Sequence, residues 1–230
     1  LKCVDRAGVT ANWAQKGTFS FGNMPVGQSL TPATGNLTPG VKHTLSAFYS
    51  DLDGTGTLAN AYLLLNTSLS TAQGIYLAYN PVQNKLYVRN DAGTAWLGGV
   101  APGAAGTISN SSVRVYCAET TVSSTPEGLR VNWRVEPLNG LAGRSCKAYL
   151  RAADASGLVG DWSERGALTI SRRPVNDSVS PQQAEFAVGG RQTVTAEFSD
   201  GDGASNLATV YVLINTSQNG ANAGYVSYQL

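Results

Sequence analysis

Apolar and polar residues alternate along short stretches of the chain, which is the pattern of β-strands that turn one face to a core. In residues 41–50, Leu45, Ala47 and Tyr49 occupy alternate positions. Eight stretches rich in Val, Ile, Thr and Tyr lie between clusters of Gly, Asn, Asp and Pro. They predict strands at 41–50, 59–66, 74–80, 84–89, 112–119, 128–135, 145–153 and 166–171. No stretch has the periodicity of an amphipathic helix, so the pattern predicts an all-β chain built as a β-sandwich.

The pattern also repeats itself after 149 residues. Shifted by this distance, 26 of 81 overlapping positions are identical without a gap. The matches include Asp5, Gly8 and Trp13 with Asp154, Gly157 and Trp162, and Ser50, Asp51, Asp53 and Gly54 with Ser199, Asp200, Asp202 and Gly203. This predicts tandem repeats. Residues 1–24 would end one repeat, 25–173 would form a complete repeat, and 174–230 would begin the next. Two Pro-containing segments, 21–32 and 171–181, are predicted to be linkers.

The repeat predicts which side chains point inward. Leu45, Ala47 and Tyr49 correspond to Val194, Ala196 and Phe198, which are all apolar. Phe48 corresponds to Glu197, so this position is expected to face outward. His43, the single histidine, corresponds to Gln192, which predicts a surface residue with no catalytic role.

Two of the three cysteines share the inward phase. Cys117 and Cys146 lie on the apolar faces of their strands, as does Trp133. We therefore expect a core disulfide Cys117–Cys146 packed beside the indole, closing a loop of about 29 residues and stabilising the fold by roughly 3 kcal/mol. Such a bond would place the protein outside the reducing cytosol. Cys3 has three alternatives: a partner upstream, another chain, or a buried thiol.

Three stretches resemble a known family. They are "FYSDLDGTGTLANAYLLLNTS" (48–68), "LYVRNDAGTAWLGGVAPGAAGTISNSS" (86–112) and "YLRAADASGLVGDWSERGALTI" (149–170). Together they resemble a bacterial immunoglobulin-like repeat that occurs in tandem in large secreted and surface proteins. The resemblance implies immunoglobulin-like β-sandwich repeats acting as spacers, stalks, adhesive modules or assembly subunits. The unit is longer than the usual immunoglobulin domain of about 100 residues.

Charge and composition exclude several classes of function. Charged residues make up 13% of the chain and the net charge is +1, which gives no electrostatic basis for binding nucleic acid. No apolar run has the length of a membrane-spanning segment. Residue 1 is Leu, as expected of a fragment or a processed product. Because the chain also lacks the common hydrolase, metalloprotease and nucleotide-binding motifs, we predict that it is not an enzyme.

The motif "SDLDG" at 50–54, repeated as "SDGDG" at 199–203, has two interpretations. It could be a turn in which the aspartates accept hydrogen bonds from their own backbone. It could also contribute to a calcium site between loops, although it lacks the remaining ligands of an EF-hand. The candidate calcium ligands are Asp51, Asp53, Asp154, Asp200 and Asp202. No other cofactor is indicated.

Five tyrosines are predicted to point away from the core, namely Tyr62, Tyr76, Tyr87, Tyr116 and Tyr149. They could form a subunit contact or a glycan-binding face, since Tyr combines apolar area with a polar tip. The alternative is ordinary cross-strand packing on a solvated sheet.

Taken together, the sequence predicts a structural protein at the cell surface or outside the cell. Tandem repeats would build a fibre, stalk, sheath or filament, and neighbouring repeats or copies would associate with each other. The alternative is an adhesin or carbohydrate-binding module of a larger secreted protein, with a glycan or surface ligand as its partner.

Overall fold

The protein is an all-β sandwich flanked by smaller sheets. A computed structural model describes residues 1–19 and 21–230, and these contain strands and short 3₁₀ turns but no α-helix. The strands are β1 (Cys3–Val4), β2 (Thr10–Ala11), β3 (Val26–Thr31), β4 (Thr34–Leu37), β5 (His43–Ser50), β6 (Leu58–Asn66), β7 (Ile75–Asn80), β8 (Lys85–Arg89), β9 (Trp96–Val100), β10 (Thr107–Ser109), β11 (Val113–Tyr116), β12 (Thr121–Thr125), β13 (Gly128–Pro137), β14 (Arg144–Asp154), β15 (Ser163–Ile170), β16 (Pro174–Ser180), β17 (Thr195–Asp200), β18 (Thr209–Ile214) and β19 (Gly224–Gln229). The 3₁₀ turns are Thr55–Thr57, Cys117–Glu119, Asn139–Leu141 and Ala204–Asn206.

Strands β3 to β15 form the two sheets of the sandwich. Sheet I has the strand order β10-β11-β13-β5-β3, and β12 also pairs with β13. Sheet II has the order β4-β15-β14-β6-β7-β8-β9. All neighbouring strands are antiparallel except β15 and β4, which are parallel. In the long central strands of both sheets, the side chains that face the other sheet are apolar.

One apolar core lies between the sheets. The predicted inward residues Leu45, Ala47 and Tyr49 are fully buried there together with Trp133. Phe48 points outward as predicted, and the guanidinium of Arg130 lies over its ring with 4.9 Å between Cζ and the ring centroid. The alternation read from the sequence therefore gives the correct inward face for the central strands.

All eight predicted strands are present with small differences at their ends. Five strands of the sandwich were missed, namely β3, β4, β9, β10 and β12. The segment 21–32, predicted as a linker, contains β3, and 171–181 contains β16. Strand β3 escapes the pattern because a bulge between Gly27 and Ser29 interrupts its alternation.

The predicted disulfide is absent. Cys117 and Cys146 are both buried, and both are free thiols. Cys117 follows β11, whereas Cys146 lies in β14, which packs against β3. Strands β11 and β3 are three positions apart in sheet I, a lateral distance of about 14 Å. A disulfide requires the two Cα atoms to lie within roughly 7 Å of each other. The inward direction of both side chains was correct, but the strand order keeps them apart.

Small two-stranded sheets flank the sandwich. Strand β16 pairs with β17, and β18 pairs with β19. Val179 lies opposite Ala196 just as Leu30 lies opposite Ala47, and both pairs of strands have the same bulge. Val210 lies opposite Tyr228 just as Ala61 lies opposite Tyr79. The pairing of residues 174–230 thus reproduces, 149 residues later, the pairing of β3 with β5 and of β6 with β7.

Candidate functional site

The turn after β5 is organised by Asp51. Its Oδ1 accepts the backbone N–H of Asp53 at 3.0 Å, and its Oδ2 accepts the hydroxyl of Thr57 at 2.8 Å. Gly54 has a φ of 107°, a conformation that side chains with a Cβ rarely adopt. This is the Asx turn that the sequence suggested as one interpretation.

Asp53 uses its carboxylate differently, because it holds the segment that precedes β3. Its Oδ2 accepts the backbone N–H of Asn23 at 2.6 Å, and its Oδ1 accepts the side-chain amide of Asn23 at 2.7 Å. Both carboxylate oxygens therefore bind one residue of the incoming chain. We call this contact, together with its counterpart described next, the linker clamp.

The counterpart of the linker clamp lies 149 residues further along. Asp200 Oδ1 accepts the N–H of Asp202 at 2.8 Å, and Gly203 has a φ of 111°. Asp202 Oδ2 accepts the N–H of Arg172 at 2.6 Å, and Arg172 is the repeat equivalent of Asn23. The Arg172 side chain adds a hydrogen bond to the carbonyl of Gly201 at 3.0 Å. The sequence indicated the turn but not the residue that it binds, since Asn23 and Arg172 differ.

Asp154 begins a turn close to the Asp51 turn, as the N–H of Ala155 donates to Thr57 at 2.8 Å. Its carboxylate accepts the hydroxyl of Ser156 and the N–H of Leu158. Burial raises the pKa of Asp154, but the hydrogen bonds from Ser156, Leu158 and Gly157 outweigh this effect and lower the pKa overall.

The candidate calcium ligands are thus occupied by donors of the protein itself. Among residues 1–19 and 21–230, no group of three or more His, Cys, Asp or Glu side chains is arranged to hold a metal ion. The hydrogen bonds of Asp51, Asp53 and Asp154 favour the turn interpretation. Calcium binding by these residues stays a hypothesis.

Four of the five predicted tyrosines lie on the outer face of sheet II. Tyr62, Tyr76 and Tyr87 form an aromatic cluster with Trp96 and Trp162. The ring centroids of Tyr76 and Trp96 are 4.8 Å apart, and those of Tyr76 and Trp162 are 5.7 Å apart. Such tilted contacts are favourable geometries for aromatic pairs.

The two remaining tyrosines have other surroundings. Tyr149 also lies on the outer face of sheet II, where it is buried against Leu64. Tyr116 lies on sheet I, donates its hydroxyl proton to Glu136, and carries the ammonium of Lys42 over its ring. Tyr116 therefore does not belong to the same face as the others. The sequence indicated the outward direction of these residues but not the sheet that carries each one.

The sequence did not predict that the two tryptophans of the aromatic cluster lie on the same face as the tyrosines. Trp96 lies in β9, which was not predicted as a strand, and Trp162 lies directly before β15. The guanidinium of Arg89 lies 4.9 Å from the Trp96 centroid, and that of Arg151 lies 5.6 Å from the Trp162 centroid. In the pair β8–β9, Trp96 lies opposite Arg89 and Gly98 lies opposite Tyr87, a register that the sequence alone does not give.

The aromatic cluster borders a depression of ≈ 290 Å³ that is lined by Asn60, Tyr62, Ala78, Asn80, Gln83, Tyr87 and Trp96. Burial raises the pKa of Tyr76 to about 12, Tyr62 raises it further, and Arg151 and Arg89 oppose the rise. Tyr76 is therefore neutral at physiological pH. The surface combines ring faces with side-chain amides, a composition suited to a polar ligand with apolar faces.

His43 has a structural contact, since its Nε2 accepts the N–H of Thr38 at 3.0 Å. The described residues contain no helix with the length and apolar character needed to cross a bilayer. Comparisons with family models and with curated proteins found no match to this chain.

Proposed function

We propose that the chain is a structural, non-enzymatic extracellular protein of bacterial origin. Its immunoglobulin-like units follow each other in tandem and build a cell-surface fibre, stalk, sheath or filament. Neighbouring units or copies associate with each other in this assembly. The role of each unit is mechanical, so it depends on how firmly a unit is joined to the next one.

The observation that carries the proposal is the linker clamp. The same hydrogen bond, from a linker N–H to the second aspartate of the turn, is 2.6 Å long at both junctions. At the first junction the Asn23 side chain adds a second hydrogen bond, and at the second the Arg172 side chain adds one to Gly201. Two-point contacts restrict rotation of the linker, because a single hydrogen bond leaves the chain free to pivot. A fibre or stalk needs junctions with restricted rotation, whereas a flexible tether does not need such contacts.

Electron microscopy tests the structural role. Antibodies against this chain, detected with gold particles on cells that produce it, should label elongated structures at the cell surface. The purified chain at high concentration should form elongated particles. Labelling confined to the cytoplasm, together with dispersed monomers at high concentration, would contradict the proposal.

A second candidate function is supported by the aromatic cluster. An adhesin or carbohydrate-binding module needs exposed ring faces beside hydrogen-bonding side chains, and the depression beside Trp96 has both. Binding to a glycan array that is lost in Trp96→Ala and in Tyr62→Ala would favour this function. Tyr116→Ala is the matched control, because Tyr116 lies on the other sheet and should leave binding unchanged.

A further inference from the structure

The depression beside the aromatic cluster follows one row of residues across the outer face of sheet II. Arg151 lies opposite Tyr62, Tyr62 opposite Ala78, and Ala78 opposite Tyr87. Ala78 is buried and has only a methyl group, so it forms the floor, and the two tyrosines stand on either side of it. The row therefore places a shallow space between two aromatic rings, with a guanidinium group next to one of them.

Two guanidinium groups border the aromatic cluster without a carboxylate partner. The ion pairs among the described residues involve other side chains, and Glu164 on the neighbouring strand β15 is paired with Lys147 at 2.9 Å. Arg89 donates from its Nε to the carbonyl of Gly93 at 3.0 Å, which leaves its charge in place. The buried Nε of Arg151 has no hydrogen-bond partner in the part of the chain that the structure describes. Both positive charges are therefore not neutralised by the protein.

The two charges act on the same part of the face. Burial raises the pKa of Tyr62, and Arg151 and Arg89 both oppose this rise, so both guanidinium groups lie near its hydroxyl. Arg89 lies over Trp96 and Arg151 lies over Trp162, on two sides of the cluster. An anion bound at the depression would be attracted by both charges.

Side-chain amides supply hydrogen-bonding groups in the same depression. Asn60 Oδ1 accepts the amide N–H of Asn80 at 3.3 Å, and Gln83 Oε1 accepts the hydroxyl of Tyr87 at 2.9 Å. These contacts use the amide oxygens, so the NH₂ groups of Asn60 and Gln83 can donate to a ligand. Ring faces and amide donors suit a ligand with apolar faces and many oxygen atoms, and the two charges favour one that is an anion.

We propose that this face of sheet II binds an acidic carbohydrate, whose sugar units carry carboxylate groups. A sugar ring lies between Tyr62 and Tyr87, the amides bind its hydroxyl groups, and Arg151 binds a carboxylate. Arginine suits this task because its planar guanidinium can donate two parallel hydrogen bonds to one carboxylate. The proposal rests on the second candidate function above and names the class of glycan. A nucleic acid also combines rings with anionic groups, and it is one outcome of the test.

The experiment compares probes that differ only in charge. Alginate, polygalacturonate and hyaluronate oligosaccharides are each immobilised beside their methyl esters, in which the carboxylates are neutralised, and binding of the chain is measured by biolayer interferometry. We expect at least one acid to bind roughly tenfold more tightly than its ester. The difference should decrease as salt is added, because salt screens the charges.

The outcomes separate this proposal from the function on which it rests. Equal affinity for acids and esters would overturn the acidic class and leave glycan binding standing. No binding to any of the six probes would overturn both, whereas the structural role does not depend on this face. Tighter binding to a single-stranded oligodeoxynucleotide than to every acidic probe would also overturn the proposal.

Variants locate the binding site. Arg151→Gln should weaken binding of the acid roughly tenfold and leave binding of the ester unchanged. Arg89→Gln should weaken it in the same direction and covers misfolding of the first variant. Arg130→Gln is the matched control, because Arg130 lies over Phe48 on the outer face of sheet I at 4.9 Å, the same distance as Arg89 from its tryptophan. Unchanged binding in both Arg151→Gln and Arg89→Gln, or an equal loss in Arg130→Gln, would overturn the proposal.

Discussion

At the scale of single residues, the two aspartates of the repeated turn have separate tasks. Asp51 holds the turn itself through Asp53 and Thr57, whereas Asp53 holds Asn23 of the linker. The spacing of the motif indicates a turn, because Asp and Gly at these positions are typical of one. It does not indicate the linker clamp, because the partner of Asp53 lies 30 residues earlier in the chain.

Replacing Asp51 with Ala should destabilise the fold. The carboxylate is nearly buried, and its loss leaves the N–H of Asp53 without an acceptor and removes one of the two acceptors of the Thr57 hydroxyl, the other being the carbonyl of Gly54. We expect a decrease of roughly 1–2 kcal/mol in the free energy of unfolding, measured by urea denaturation. Leu52→Ala in the same turn is the control, since Leu52 is exposed, and it should have little effect.

Removing divalent cations should leave the stability unchanged. The oxygens of Asp51, Asp53 and Asp154 already accept hydrogen bonds from the protein. We therefore expect the same Tm with and without a chelator in a thermal scan. A lower Tm that added calcium restores would show that the turn interpretation of "SDLDG" is incomplete.

At the scale of strands and sheets, close packing between the two sheets depends on a glycine at the point of contact. A Cβ added at Gly27 would overlap Leu150, since the bulge of β3 brings its backbone directly against β14. No simple alternation marks β3, which explains why the sequence failed to predict it. The bulge interrupts the alternation of apolar and polar residues in β3. The same bulge allows the two sheets to approach each other at Gly27.

Gly27→Ala should separate the sheets locally. We expect a loss of roughly 1–3 kcal/mol in the free energy of unfolding, the usual cost of overpacking. Gly56→Ala is the matched control, because a Cβ at Gly56 meets no atom within 4 Å. Equal stability of the two variants in urea denaturation would contradict this account of the β3–β14 contact.

The three thiols should differ sharply in reactivity. Burial raises the pKa of both Cys117 and Cys146, so their reactive thiolate forms are scarce near neutral pH. A thiol reagent should modify Cys3 rapidly in the native protein and all three cysteines after denaturation without a reductant. Finding only one reactive thiol after denaturation would show that Cys117 and Cys146 are bonded after all.

At the scale of the whole molecule, burial is distributed very unevenly. The core between sheets I and II contains most of the buried apolar residues, whereas no residue of 174–230 is buried. Isolated two-stranded sheets are at best marginally stable in water. The pairing of β3 with β5 and of β6 with β7 is therefore supported by an apolar core, whereas the equivalent pairing of β16 with β17 and of β18 with β19 is not.

Hydrogen exchange should reveal this difference. In dilute solution the amides of β16 to β19 should exchange far faster than those of β5, β13, β6 and β14, because local opening of an uncovered sheet costs little free energy. Mass spectrometry of peptic peptides measures both sets in one experiment.

The sequence alone determined the all-β class, the eight strongest strands, and the inward direction of residues such as Leu45, Trp133 and Cys117. These properties follow from alternation within one strand, which is local and therefore readable. Only the tertiary structure decided that Cys117 and Cys146 stay apart, that Asp53 binds Asn23, and that Trp96 joins Tyr62 and Tyr76. Each of these depends on which strands become neighbours. Strand order depends on packing and chain connection over the whole sheet, and a period of two residues carries no information about it.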